Sequence, residues 1–114
     1  MNVLILGLGS IGQKHLRNLK AIDKSIKFFT LRRKYITPYL NNKNQARKGN
    51  IEDDYNIKNF KKFSDIKNID AAFICTPSKF HVSEAIKLLK KNIHIFVEKP
   101  LGSSLKDIDK LKKI

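Results

Sequence analysis

Six residues near the amino terminus, Gly7-Leu8-Gly9-Ser10-Ile11-Gly12, have the spacing of a backbone cradle for a diphosphate. They follow a short apolar run and open a helical pattern, and that context gives a common glycine pattern its meaning. Gly7 permits a tight turn, Gly9 removes a Cβ that would keep a pyrophosphate off the backbone, and Gly12 lets the helix pack closely on the sheet. The amides that open the helix, at Ser10 and Ile11, face the anion. The same residues would also make a glycine turn that holds no ligand. In sites that take NAD, an acid about 20 positions further on binds the ribose hydroxyls. Here the count reaches Arg32, followed by Arg33. A carboxylate repels a ribose 2′-phosphate, whereas a guanidinium holds it through paired, charge-assisted hydrogen bonds. The pair predicts NADP in preference to NAD, unless both arginines are surface charge in a Lys-rich chain.

Two further motifs end apolar runs. In Thr76-Pro77-Ser78-Lys79-Phe80-His81, Pro77 sets a turn, and Thr76 and Ser78 offer hydroxyls to a ribose or to the next helix. His81, at the helix start, is either a packed or capping residue or a direct participant. Glu98-Lys99-Pro100 would project Lys99 into the same crevice. Its ammonium could stabilise the alkoxide that forms as a hydroxyl loses hydride, could hold a cofactor ribose, or could stand exposed beside Glu98. Cys75 has no partner base and reads as a small core residue at a strand end. His15 and His94 read as packing and strand residues. No Cys/His cluster has metal-ligand spacing.

These motifs need elements to hold them. Residues 3–6 and 93–97 are short apolar runs expected as strands, as are 71–75, and 26–31 carries residue types that suit a pleated sheet. Ile11, Leu16, Leu19 and Ile22 share a helical face, as do Val82, Ala85, Ile86 and Leu89, and as do Leu105, Ile108 and Leu111 behind a Ser103 or Ser104 cap. A helix is expected near 39–47, a short edge strand at 56–60, and a single turn through Lys67 capped by Ser64. Alternating strands and helices predict a doubly wound, Rossmann-like α/β fold. Its five parallel strands take the order 3-2-1-4-5, with the ligand crevice at the carboxyl ends of strands 1 and 4.

The chain has 114 residues, 41% hydrophobic and 30% charged, which suits one globular domain and excludes collagen-like and wholly disordered classes. One cysteine makes no internal disulfide. A net charge of +14 invites nucleic acid as a partner, yet the lysines are scattered through almost every segment, which describes a solvated surface better. No run approaches the ~18 apolar residues of a membrane span, and the opening residues lack the basic region of a signal peptide. The expectation is cytoplasmic, with no membrane partner.

Taken together, the glycine motif, Thr76-Pro77 with His81, and Glu98-Lys99-Pro100 resemble the N-terminal domain of the glucose-fructose oxidoreductase, inositol dehydrogenase and rhizopine-catabolism (Gfo/Idh/MocA) family. The resemblance spans essentially the whole chain, and the Glu-Lys-Pro element is its most specific part. It implies that Gly7, Gly9, Ser10, Ile11 and Gly12 line the pyrophosphate, and that Thr76, Pro77 and His81 lie beside the cofactor. It also implies that Glu98 and Lys99 reach the nicotinamide ribose, with Lys99 near the substrate as the catalytic candidate. Members of the family act on a hydroxyl or ketone of sugars, sugar nucleotides and polyols. They continue into a second α/β domain that supplies the substrate pocket and most of the dimer interface. Residues 1–114 are accordingly expected to be a truncated NAD(P)-binding domain with one exposed sheet edge, dependent on the missing domain for turnover. The competing expectation is a non-catalytic nucleotide- or nucleic-acid-binding module.

Overall fold

The computed structural model describes residues 1–31, 38–102 and 105–113. Strand β1 (Asn2–Leu6) is buried from its second residue onward, and the pleat sends Leu4 and Leu6 to one side of the sheet and Val3 and Ile5 to the other. It lies at the centre of five strands. Strand β2 (Lys27–Thr30) and the two-residue β3 (Lys58–Asn59) extend the sheet on one flank, and β4 (Ala71–Ile74) and β5 (His94–Val97) extend it on the other. All pairings are parallel and the order is β3-β2-β1-β4-β5, the predicted one. Parallel neighbours require crossovers, and the helices supply them on both faces. Helix α1 (Ser10–Ile22) buries Leu16 against Val3, Ile5 and Phe28, where the one-turn α2 (Ile51–Asp54) adds Ile51. Helix α3 (His81–Leu89) buries Ala85 and Leu88 against Leu4, Leu6, Ala72 and Ile74, and Leu111 of α4 (Leu105–Lys112) packs against the same cluster. Strand β5 forms an outer edge, where Phe96 is 46% exposed.

The structure departs from expectation in the Asn-rich middle. No helix forms over 39–47; Leu40 and Ala46 instead make an isolated antiparallel bridge. The cause is local competition: the Asn41 side chain accepts from the Lys43 and Gln45 amides, and Asn44 turns the chain at φ +59°. The helix comes later, where the Asn50 side chain caps the Glu52 and Asp53 amides of α2 and three acids occupy the first turn. That cap was readable in the sequence. Ser64 does not cap the next turn, which is a 3-10 turn over Phe63–Asp65 with no side-chain cap. Ser103 and Ser104 lie outside the described residues.

Candidate functional site

The three glycines of the first turn do different work. Gly7 has φ +89°, and a Cβ there would lie 2.8 Å from the Cys75 carbonyl and the Thr76 amide nitrogen. The turn after β1 therefore presses on the turn after β4. A Cβ on Gly12 would stand 1.9 Å from the Gly7 carbonyl oxygen, so α1 meets the end of β1 backbone to backbone. Gly9 is the opposite case: its φ of −75° suits any residue, and a Cβ would meet nothing within 4 Å. Gly9 precedes α1 without a side-chain cap, so the first amides of this 13-residue helix are left for an anion. An open cradle of this kind fits a dinucleotide's diphosphate.

Beside the cradle lies a cleft of about 670 Å³ at the carboxyl ends of β1 and β4. Gly7, Leu8 and Gly9 form one wall, and Cys75, Thr76 and Pro77 another. Leu31, beyond β2, and Phe63 also line it, as do Phe80, Ser83, Glu84 and Lys87 of the α3 region. Of the residues expected at the site, Gly7, Gly9, Thr76 and Pro77 line this cleft. Ser10 and Ile11 are exposed at the start of α1 and Gly12 is buried behind them. Arg32 and Arg33 follow Leu31 directly but lie outside the described residues.

His81 is 2% exposed and lies between two turns. Its Nε2 is 2.5 Å from the Thr76 carbonyl oxygen and its Nδ1 is 2.8 Å from that of Pro100. Both partners are carbonyls, which accept from whichever ring nitrogen carries the proton. The imidazole ties the turn after β4 to the Glu-Lys-Pro segment instead of facing the cleft. Replacing it with leucine removes the polar ring that links these two carbonyls, and the expected loss is about 2 kcal/mol of stability, read by urea denaturation.

Glu98 is fastened to α1: its Oε1 lies 2.5 Å from Nε2 of His15. The His15 hydrogen bond, helped by the charges of His15 and Lys99, holds the Glu98 carboxyl below the usual carboxylate range against a smaller opposing effect of burial. The His15 ring is itself braced by Phe73 and Phe96, each 5.2 Å away between centroids. His15 is thus more than the packing residue expected, because it joins the glycine-led helix to the Glu-Lys-Pro segment. Lys99, the residue after Glu98, is exposed and is not among the residues that line the cleft.

Two polar residues with no signal in the sequence also act here. Gln13, 1% exposed, donates to the Leu8 and Pro38 carbonyls and accepts from the Leu40 amide, pinning the glycine loop to the segment that returns after Arg32 and Arg33. Glu84 is 8% exposed and accepts from the Thr76 hydroxyl. Cys75 lines the cleft half-buried, not sealed in the core as expected. Burial, reinforced by the Glu98 charge, pushes its thiol up to about 12. At pH 8 almost no thiolate is present, so iodoacetamide is expected to alkylate Cys75 far more slowly than it does the urea-unfolded chain, a ratio that mass spectrometry measures.

Among the described residues no cluster of His, Cys, Asp or Glu could hold a metal, and no helix is long and apolar enough to cross a membrane. The profile of an oxidoreductase family with an NAD-binding Rossmann fold, GFO_IDH_MocA, matches residues 1–114. The myo-inositol 2-dehydrogenase of Thermotoga maritima is 29% identical over 111 residues, covering 97% of this chain and 31% of that enzyme. The crystal structure of myo-inositol 2-dehydrogenase from Lactobacillus plantarum has the same fold, with a TM-score of 0.73 at 24% identity over 99% of this chain and 32% of that one. Scyllo-inositol dehydrogenase from Lactobacillus casei, solved with NAD(H) and scyllo-inositol bound, gives 0.71 at 22% identity over 99% and 32%. The chain spans about a third of the length of the relatives it matches. The glycine cradle, the parallel sheet behind it and a profile match from first residue to last agree: the chain belongs to the Gfo/Idh/MocA oxidoreductase family and is an NAD-binding Rossmann domain of it.

Proposed function

We propose that residues 1–114 are the cofactor-binding part of an NAD(P)-dependent oxidoreductase acting on a hydroxyl or ketone of a sugar, sugar nucleotide or polyol. The observation that carries this reading is the open backbone at Gly9 beside the uncapped start of α1. In it the diphosphate rests on the amides of Gly9, Ser10 and Ile11, and the adenosine half enters the cleft lined by Leu31, Phe63, Thr76 and Pro77. When bound, the nicotinamide supplies the site that takes or gives hydride. Lys99 then has two tasks, donating a hydrogen bond to a ribose hydroxyl and placing its positive charge beside the reacting oxygen, where alkoxide character develops. His81 and the His15–Glu98 pair act one step back by holding the Lys99 segment in place. Arg32 and Arg33 would grip a 2′-phosphate, and the reading prefers NADP on that ground.

Calorimetric titration of the chain with NADPH and NADH tests the assignment. Binding of both is expected, several-fold tighter for NADPH, and an Arg32→Ala, Arg33→Ala double variant should erase that difference while leaving NADH affinity unchanged. A folded chain that binds neither cofactor would overturn the reading.

A further inference from the structure

Gln13 places a carboxamide on the packed face of α1, 1% exposed and beside the buried Gly12 and Leu16. A polar group there is costly unless its atoms are met. Its Nε2 donates to the Leu8 carbonyl at 2.9 Å and to the Pro38 carbonyl at 2.7 Å, and its Oε1 accepts from the Leu40 amide at 2.8 Å. Two carbonyls and one amide surround the group, and only one orientation of a carboxamide satisfies all of them. The side chain is therefore locked.

What it locks lies on either side of Gly9. The side chain holds the Leu8 carbonyl, and the Gln13 backbone amide holds the Gly9 carbonyl at 2.9 Å. Both peptide bonds are trans, and a planar trans peptide points its carbonyl and its N–H in opposite directions. Two consecutive carbonyls that converge on Gln13 thus turn the N–H groups of Gly9 and Ser10 away from it. Gly9 also lacks a Cβ, and a Cβ there would meet nothing within 4 Å, so the loop leaves room for an anion against these donors.

We propose that Gln13 is a positioning residue for the cofactor: its carboxamide, braced by Pro38 and Leu40, orients the Leu8–Gly9 peptide so that the Gly9 amide donates to the diphosphate alongside that of Ser10. The inference rests on the dinucleotide reading above and adds to it the side chain that aims the cradle.

Gln13→Met keeps the length and bulk of the side chain, removes its hydrogen bonds, and leaves the backbone bond to the Gly9 carbonyl in place. Titrations of the full chain followed by proton–nitrogen NMR compare ADP, which carries the diphosphate, with adenosine, which does not. In the wild-type chain ADP is expected to move the Gly9 and Ser10 amide protons downfield, and adenosine to leave them nearly still. In Gln13→Met the affinity for ADP should fall about tenfold and that for adenosine by less than about twofold. Gly9 should lose its response to ADP in that variant while Ser10 keeps its own. A side chain that only supported the fold would weaken both ligands alike, so equal losses overturn the proposal, as does an unchanged affinity for ADP. Should the variant not fold, the wild-type titration decides: a Gly9 amide that stays still in the ADP complex overturns the proposal, and one that moves with Ser10 supports it. Failure of the wild-type chain to bind ADP, adenosine and NADH alike is a different result and removes the parent reading with it.

Discussion

Replacing Gly12 with alanine should cost the domain about 3 kcal/mol or more, on a total stability of about 5–15 kcal/mol for a domain of this kind. The added methyl would stand 1.9 Å from the Gly7 carbonyl oxygen, and that obstacle is backbone, with no flexible side chain to give way. Either α1 lifts from β1, opening the Leu16 contact with Val3 and Ile5, or the turn at Gly7 moves. Gly7 is not free to move, because it already rests on the Cys75 carbonyl and the Thr76 amide. The thermal midpoint is expected to fall by about 12 °C or more, measured by circular dichroism. An unchanged midpoint would mean that α1 does not approach the strand this closely.

Gly9→Val should have the reverse profile. The backbone there has φ −75° and open space around the missing Cβ, so the fold has nothing to oppose a side chain, and the midpoint should move by less than about 3 °C. The branched side chain would instead occupy the space over the first amides of α1, which the proposed diphosphate needs. Affinity for NADPH and NADH is expected to fall about 100-fold or more, read by calorimetry. Two glycines three residues apart are thus separable, one by melting and the other by binding. A Gly9→Val chain that binds cofactor normally would place the diphosphate elsewhere.

Part of this site was legible before any coordinates. Strand β1 is buried on both faces and β4 fully on one and partly on the other, so both read as unbroken apolar runs, and such runs ending in glycine or Thr-Pro imply a strand that turns into a crossover helix. Five alternating units then left few topologies to choose from, and the doubly wound order followed. The Asn-rich stretch was not legible in this way. Its outcome hung on side-chain oxygens capturing nearby amides, a competition between hydrogen bonds of similar strength that hydrophobic periodicity does not register.

What the sequence determined by itself is the set of local devices: the glycine turn, the caps, the apolar runs and the lysine-proline step that ends β5. Their physics acts between residues a few positions apart, so spacing is enough to reveal it. Tertiary structure alone decided the partnerships. His15 meets Glu98 across 83 positions, His81 meets Pro100 across 19, Gln13 holds a segment 25 to 27 residues away, and Glu84 turns its carboxylate toward Thr76. Each pairing exists because parallel strands in register deliver their carboxyl ends to one edge of the sheet. Only there, where the polar groups that end strands and begin helices are crowded away from water, must each find its donor or acceptor in a neighbour the chain reaches by a long detour.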